Sequence, residues 1–131
     1  MQLDVSRAPL TAMLSLTVAA ARAHMLSVLD GVYNAFDDET GFEAQCCQGL
    51  EYGFDGKTLI HPRQIDICNS VFAPDAATVT WAERVKEAFG KPENAQKGVL
   101  SLDGVMVERL HLAQAERVLA LDAAIRGTWN V

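Results

Sequence analysis

Proton transfer needs a carboxylate or imidazole held at a fixed place, and cation binding needs several such groups on one side of the chain. The sequence offers few candidates. Asp103, in Leu102-Asp103-Gly104, precedes a glycine that permits a tight backbone, so its carboxylate can project from a turn tip; turn chemistry alone also accounts for an Asp-Gly pair. Asp30, with Asp37, Asp38 and Glu39 a few residues on, makes a group of acids that could hold a metal. The last three already have a sufficient structural cause, because acids at a helix start are favoured by its macrodipole. His24 and His111 fall on helical stretches without partners at ligand spacing, and His61 sits beside Pro62 where extended sequence meets helical sequence. Lys57 is the one Lys or Arg within residues 53–62. Cys46, Cys47 and Cys68 make neither a CxxC pair nor an even disulfide framework, and read as buried thiols in a reducing cytosol.

The elements that position these groups follow from patterning. Ser6, Arg7 and Pro9 open a helix that Ala-rich sequence carries to about His24, since proline in a first turn loses no hydrogen bond. The apolar run 25–29, stopped by Asp30-Gly31, reads as a buried strand. Thr40 and Glu43 make a capping-box signature ahead of a helix over 44–50, which Gly53 and Gly56 close. A second strand over 57–60 stops at His61-Pro62, and Pro62 begins a helix to about Val71. Asp75 opens a helix over 76–89 with Gly90 as an expected left-handed cap, and residues 91–98 are a polar loop. Two extended arms, 99–102 and 105–107, flank the Asp103-Gly104 turn, and a last helix over 109–126, with Leu112, Ala115, Val118, Leu119 and Ile125 on or near one apolar stripe, ends at Gly127. Trp81, Trp129, Tyr33 and Tyr52 show no stacking pattern for bases and are assigned to packing.

The chain has 131 residues, 50% apolar and 21% charged, which suits one small folded domain. Eleven basic residues against 17 acidic ones give a formal charge of −6, and the basic ones are scattered, so nucleic acid and membrane surfaces are poor partners. The apolar run near the amino terminus imitates a signal peptide, but Asp4, Thr11, Ser15, Thr17 and Arg22 interrupt it. Helices alternating with short apolar strands argue for α/β structure with parallel strands. Two such strands leave both sheet edges open, so the pattern is that of part of a larger sheet.

Asp30-Gly31-Val32-Tyr33, the string Gly53-Phe54-Asp55-Gly56-Lys57-Thr58-Leu59-Ile60-His61-Pro62 with Gln64-Ile65, and Leu102-Asp103-Gly104 with Met106-Val107 carry a family resemblance. They are similar to the citrate lyase β-subunit and malyl-CoA lyase group of the HpcH/HpaI aldolase superfamily, and the similarity runs from Arg7-Ala8-Pro9-Leu10 to the last helix. The resemblance implies the carboxyl-terminal portion of a (β/α)8 TIM-type barrel. Residues 1–90 would be the last βα units, with the seventh and eighth strands at 25–29 and 57–60. Residues 91–131 would be an extension or lid that reaches over a neighbouring subunit. About half of a barrel of roughly 250 residues then lies outside this sequence.

The same resemblance implies a carbon–carbon lyase that cleaves a hydroxyacyl-CoA thioester to an acyl-CoA and an oxo acid. Mg²⁺ polarises the oxo-acid carbonyl in that family. Its Glu and Asp ligands, on the fifth and sixth strands, fall upstream of Met1, as does a substrate-binding arginine, so no metal ligands are expected here. Asp103 matches the family's acid/base aspartate; closing over a substrate would desolvate it. Val105 stands where the family commonly has a basic residue, so a tuning charge is expected to be lost. Ile60, His61 and Pro62 would wall the acyl-CoA mouth, although His61 serves equally as a junction residue bonded to backbone. Lys57 would approach a CoA phosphate or else face solvent at a strand start, and Asp30 joins the substrate-binding set. The chain is therefore expected to be cytoplasmic and inactive alone, acting as a homo-oligomer or with a chain that supplies the first barrel strands. The alternative is an inactive truncated paralogue, or an interaction module that self-associates through exposed strand edges.

Overall fold

The computed structural model describes residues 7–128, so the expectations placed on Ser6 and Trp129 lie outside the described residues. Arg7, in the left-handed region at φ 47°, leads into a 3-10 turn, Ala8–Leu10, with Pro9 in it, and then into α1, Thr11–Ala23. The chain leaves α1 through a Schellman closure: Leu26 N–H donates to the Ala21 carbonyl at 2.9 Å and Met25 N–H to that of Arg22 at 3.1 Å. Met25, at φ 55°, occupies the left-handed position where glycine is usual. This ending consumes residues read from sequence as strand. The first strand, β1, is therefore only Leu29–Asp30, shifted from 25–29.

Helix α2, Glu39–Tyr52, begins ahead of the Thr40–Glu43 box. Its cap is Asp38, whose Oδ1 accepts from Gly41 N–H at 3.0 Å while Oδ2 accepts from the Tyr33 hydroxyl at 2.6 Å. An aspartate fixed from two sides wins over the threonine. Gly53 ends α2 in the left-handed conformation, as expected. Strand β2, Gly56–Lys57, is again shorter than the 57–60 run and pairs with β1 in parallel, Leu29 opposite Gly56 and Asp30 opposite Lys57. Asp55 secures this pairing: its carboxylate accepts from Val28 N–H and from both terminal nitrogens of Arg22, at 2.7–2.8 Å. A turn at His61-Pro62 precedes α3, Gln64–Phe72.

Helix α4, Ala76–Gly90, is capped by Asp75, which accepts from Thr78 N–H at 2.7 Å. Gly90 remains helical rather than forming a left-handed cap. The stop comes from Pro92, which holds Lys91 extended (φ −69°, ψ 135°), and Asn94 Nδ2 donates to the freed Ala88 carbonyl at 2.7 Å. A 3-10 turn, Pro92–Asn94, lies within the expected loop. β3, Val99–Leu102, and β4, Val105–Glu108, form the anticipated antiparallel hairpin. Its two tip residues, Asp103 and Gly104, both have positive φ (51° and 80°), the requirement of a type I′ turn. α5, Arg109–Thr128, continues through Gly127 rather than ending at it.

Two compact units result, Met1–Phe72 and Ala73–Val131. The division falls before α4, whereas the sequence reading divided the chain at residue 90. In the first unit Phe42, Cys46 and Cys68 form a core flanked by Tyr33, Leu59, Ile67, Val71 and Phe72. In the second, α4, the hairpin and α5 bury Ala82, Val85, Phe89, Leu100, Val107 and Ala115, and Trp81 packs against them. The apolar stripe read on the last helix supplies Ala115, Leu112, Val118 and Leu119 to this core. No helix among the described residues is long and apolar enough to cross a membrane.

The Phe89 ring is buried and lies 5.4 Å beneath the Arg109 guanidinium. Phe89→Ala removes that ring from a packed core, and we expect a loss of about 3–5 kcal/mol. A urea titration followed by tryptophan fluorescence reads it; a loss under about 1 kcal/mol would contradict this account of the core.

Candidate functional site

In the first unit the two short strands set a buried ion cluster. β1 turns Leu29 outward and Asp30 inward, and the parallel register brings Lys57 beside Asp30. Lys57 Nζ donates to Asp30 Oδ2 at 2.8 Å and to Gln45 Oε1 at 2.7 Å, with its side chain 0% exposed. Arg7 Nη1 donates to Asp30 Oδ1 at 2.7 Å, and its Nε to Gln48 Oε1 at 2.8 Å. Gly31 N–H donates a further bond to Oδ1 at 2.8 Å. Gln45 and Gln48 stand three apart on one face of α2. Gly49 lets that face come close, since a Cβ there would lie 3.1 Å from Asp30 Oδ2. Burial pushes the Asp30 carboxyl up, but the hydrogen bonds and charges of Arg7 and Lys57 outweigh it and hold the group below its ordinary range. One carboxylate thus faces two cations. Arg7 Nη2 is buried and has no hydrogen-bond partner among the described residues.

Beside this cluster, buried Gln64 joins two loops, its Nε2 donating to the Tyr33 carbonyl and its Oε1 accepting from Ile60 N–H, both at 3.0 Å. His61 Nδ1 accepts from Arg63 N–H at 3.2 Å, the backbone bond allowed for at this junction. Its ring stacks on Phe36, centroids 4.9 Å apart and 17° between planes. Ile60, Phe36 and Pro62 are exposed.

In the second unit Asp103 stands at the hairpin tip with its side chain 52% exposed, ion-paired with Arg84 of α4. The cation that seemed lost with Val105 therefore comes from a helix distant in sequence. His111, in the first turn of α5, accepts from Glu108 N–H at 2.8 Å, so it caps the helix start.

Several expectations need correction. Lys57 does not face solvent, and its charge is taken up by Asp30 inside the unit. The acids of 37–39 need no correction: as the helix-start reading has it, Asp38 is a helix cap, hydrogen-bonded to Tyr33, which with the Gly41 N–H holds its carboxyl low, and among the described residues no three His, Cys, Asp or Glu side chains gather at metal-binding spacing. Cys46 and Cys68 are buried as expected, but Cys47 is exposed. Sequence reasoning paired Asp30 with neither Lys57 nor Arg7, and it missed Gln45, Gln48 and Arg84. Gln64 was visible only as part of the quoted string.

No family model matches the chain. Curated relatives do. It is 50% identical to a (3S)-malyl-CoA thioesterase of Cereibacter sphaeroides over 119 residues, which cover 91% of this chain and 42% of the relative. It is 38% identical to a citrate lyase subunit beta of Leuconostoc mesenteroides subsp. cremoris over 102 residues, 78% of this chain and 34% of that one. Among solved structures, the protein CitE from Mycobacterium tuberculosis, in complex with magnesium, acetoacetate and coenzyme A, superposes with a TM-score of 0.69 at 27% identity, covering 86% of this chain and 41% of that one. The chain spans less than half the length of these relatives. Its fold is α/β, that of part of a citrate lyase-type (β/α)8 barrel.

Two predictions follow from the buried groups. Because the Asp30 carboxyl is lower in the folded chain than in the unfolded one, its stabilisation is complete above the unfolded value of about 4 and is lost as pH falls through the folded one. Asp30→Asn leaves two cations without their anion and costs about 3–5 kcal/mol at pH 7. In urea titrations the gap between wild type and variant should shrink on acidification below about pH 4; a gap constant with pH would refute the assignment. Burial pushes the Cys46 thiol up to about 12 and raises Cys68 as well. A thiol reagent at neutral pH should therefore modify Cys47 alone in the native chain and all three cysteines after denaturation; rapid labelling of Cys46 would disprove its burial.

Proposed function

From the chain's kinship to the citrate lyase β-subunit and malyl-CoA lyase group, we propose that it is the lid-bearing, carboxyl-terminal portion of an enzyme acting on hydroxyacyl-CoA thioesters, with Asp103 as its acid/base. The observation that carries this reading is the placement of Asp103. A left-handed turn lifts its carboxylate clear of the hairpin, and Arg84 holds it from one side while leaving about half of it accessible. Carbon–carbon cleavage leaves an enolate on the carbon next to the thioester, and that carbon takes up a proton as the acyl-CoA forms. Asp103 delivers the proton in cleavage and removes it in the reverse condensation. Arg84 is a positioning residue that fixes the carboxylate and balances its charge when ionised.

Ile60, His61 and Pro62 line the acyl-CoA mouth in this reading, supported by the exposed Ile60 and by the His61–Phe36 stack, which presents a flat aromatic surface. Asp30 and Lys57 serve as positioning residues, since each satisfies the other inside the unit. The described residues do not fit a magnesium site: the buried carboxylate of Asp30 is already neutralised by two cations, and Asp38 is engaged as a helix cap. The metal ligands belong to the remaining part of the barrel, so the chain by itself is inactive. Its three free cysteines support a reducing, cytoplasmic setting.

A specific observation favours a second reaction at the same site. The match to a named thioesterase, 50% identical, exceeds the 38% to a citrate lyase subunit. In thioester hydrolysis Asp103 would take the proton from a water attacking the thioester carbonyl, with coenzyme A leaving as the thiol.

The test mixes this chain with a polypeptide carrying the part of the Cereibacter sphaeroides relative that it does not match, and supplies malyl-CoA. Oxo acid and acyl-CoA appear if the reaction is carbon–carbon cleavage; free thiol without oxo acid marks hydrolysis. In either case Asp103→Asn should lower turnover about 10²–10⁴-fold. Undiminished turnover in that variant would remove Asp103 from the chemistry.

A further inference from the structure

The core of the first unit holds two nucleophilic groups that the proposed reaction does not use. Cys46 of α2 and Cys68 of α3 are 0% and 6% exposed, and both pack with Phe42. Their side chains are hydrogen-bonded to each other. Cys46 is the donor, since the bond holds its proton more tightly and loosens that of Cys68. Cys68 Sγ also accepts from the Lys57 backbone N–H and lies within reach of the Lys57 charge. The two sulfurs therefore face each other across the helix pair, and everything polar around them favours negative charge on Cys68. Cys47, the next residue along α2, is exposed. Successive side chains on a helix point about 100° apart, so Cys47 is turned away from the pair.

We propose that Cys46 and Cys68 are a resting dithiol that hydrogen peroxide converts to a disulfide, pinning α2 to α3 and closing the segment that carries β2. Burial keeps both thiols protonated at neutral pH, so the resting state stays reduced and bulky reagents do not reach it. Peroxide is small and uncharged, and enters through local opening of the unit. The Cys68 thiolate attacks one peroxide oxygen, the O–O bond breaks, and the departing hydroxide takes up a proton and leaves as water. Cys68 is then a sulfenic acid, oxidised by two electrons as the peroxide is reduced. The Cys46 sulfur, already in contact, attacks the Cys68 sulfur. The S–S bond forms, the S–O bond breaks, and the hydroxyl leaves as a second water with the Cys46 proton. A dithiol reverses the change by exchange. The bond restricts the unfolded chain, so the oxidised unit is the more stable one.

The test uses the full chain with Cys47→Ser, which removes the exposed thiol and leaves the core intact. The native chain is held in excess hydrogen peroxide, the peroxide is destroyed with catalase, and the chain is then denatured in iodoacetamide and digested with trypsin. The peptides 23–57 and 64–84 should emerge joined through unalkylated cysteines and separate in dithiothreitol. The joined sample should melt several degrees above the same sample after dithiothreitol, a comparison that cancels any methionine oxidation. Cys46→Ala in this background should leave a sulfenic acid on Cys68 that dimedone traps, whereas Cys68→Ala should leave Cys46 unoxidised. The linked-peptide result decides the matter even if neither variant folds. The proposal is overturned if both cysteines still take iodoacetamide after peroxide, if either ends as a sulfinic acid instead of joined, or if the joined sample melts no higher.

Discussion

The first unit depends on one carboxylate. Asp30 sits at the end of a two-residue strand and receives Arg7 from the chain's entry, Lys57 from the neighbouring strand and its own following amide. Two strands of two residues each bury too little to hold their own register. The ion cluster does that work, because moving Lys57 by one position would turn it to the opposite face and leave Asp30 short of a partner. The glutamines of α2 complete the arrangement by accepting from the cations, and the missing side chain at Gly49 admits them. The cluster thereby ties four stretches of chain together at the point where a barrel would continue.

The second unit solves a different problem with different physics. Its core cluster is apolar, with α4 and α5 clasping a hairpin, and Asp103 is carried at the hairpin tip. Two consecutive left-handed residues make the turn, and the Asp103 carboxylate at its tip is displayed rather than buried. Arg84 reaches it from a helix that the hairpin packs against. In the proposed role, a proton-transfer group that stays accessible until substrate is covered would suit a lid better than a barrel interior.

Much of this was legible in the sequence. The Asp103-Gly104 hairpin, the apolar stripe of the last helix, the Asp75 start of α4 and the open sheet edges all rest on local rules: turn sterics, helical period, capping and strand count. The misreadings share a cause. Met25 occupies a left-handed helix ending in place of glycine, so a run read as strand belongs to a helix terminus. Thr40 looked like a cap, but Tyr33 secures Asp38 for that role. Gly90 looked like a helix stop, while Pro92 two residues later imposed it.

From residue types and spacing alone came the α/β class, the incompleteness of the sheet, the turn that carries Asp103 and the family resemblance in the Gly53 to Pro62 string, because each depends on neighbours within a few positions or on a long specific match. Only the folded chain decided that Lys57 is spent on Asp30, that Arg7 joins them with a nitrogen to spare, and that Arg84 replaces the cation absent beside Asp103. Those pairings span separations of 27, 23 and 19 positions. No local preference records which charges meet across such distances; packing brings them together, and the cost of burying a charge alone fixes the partner.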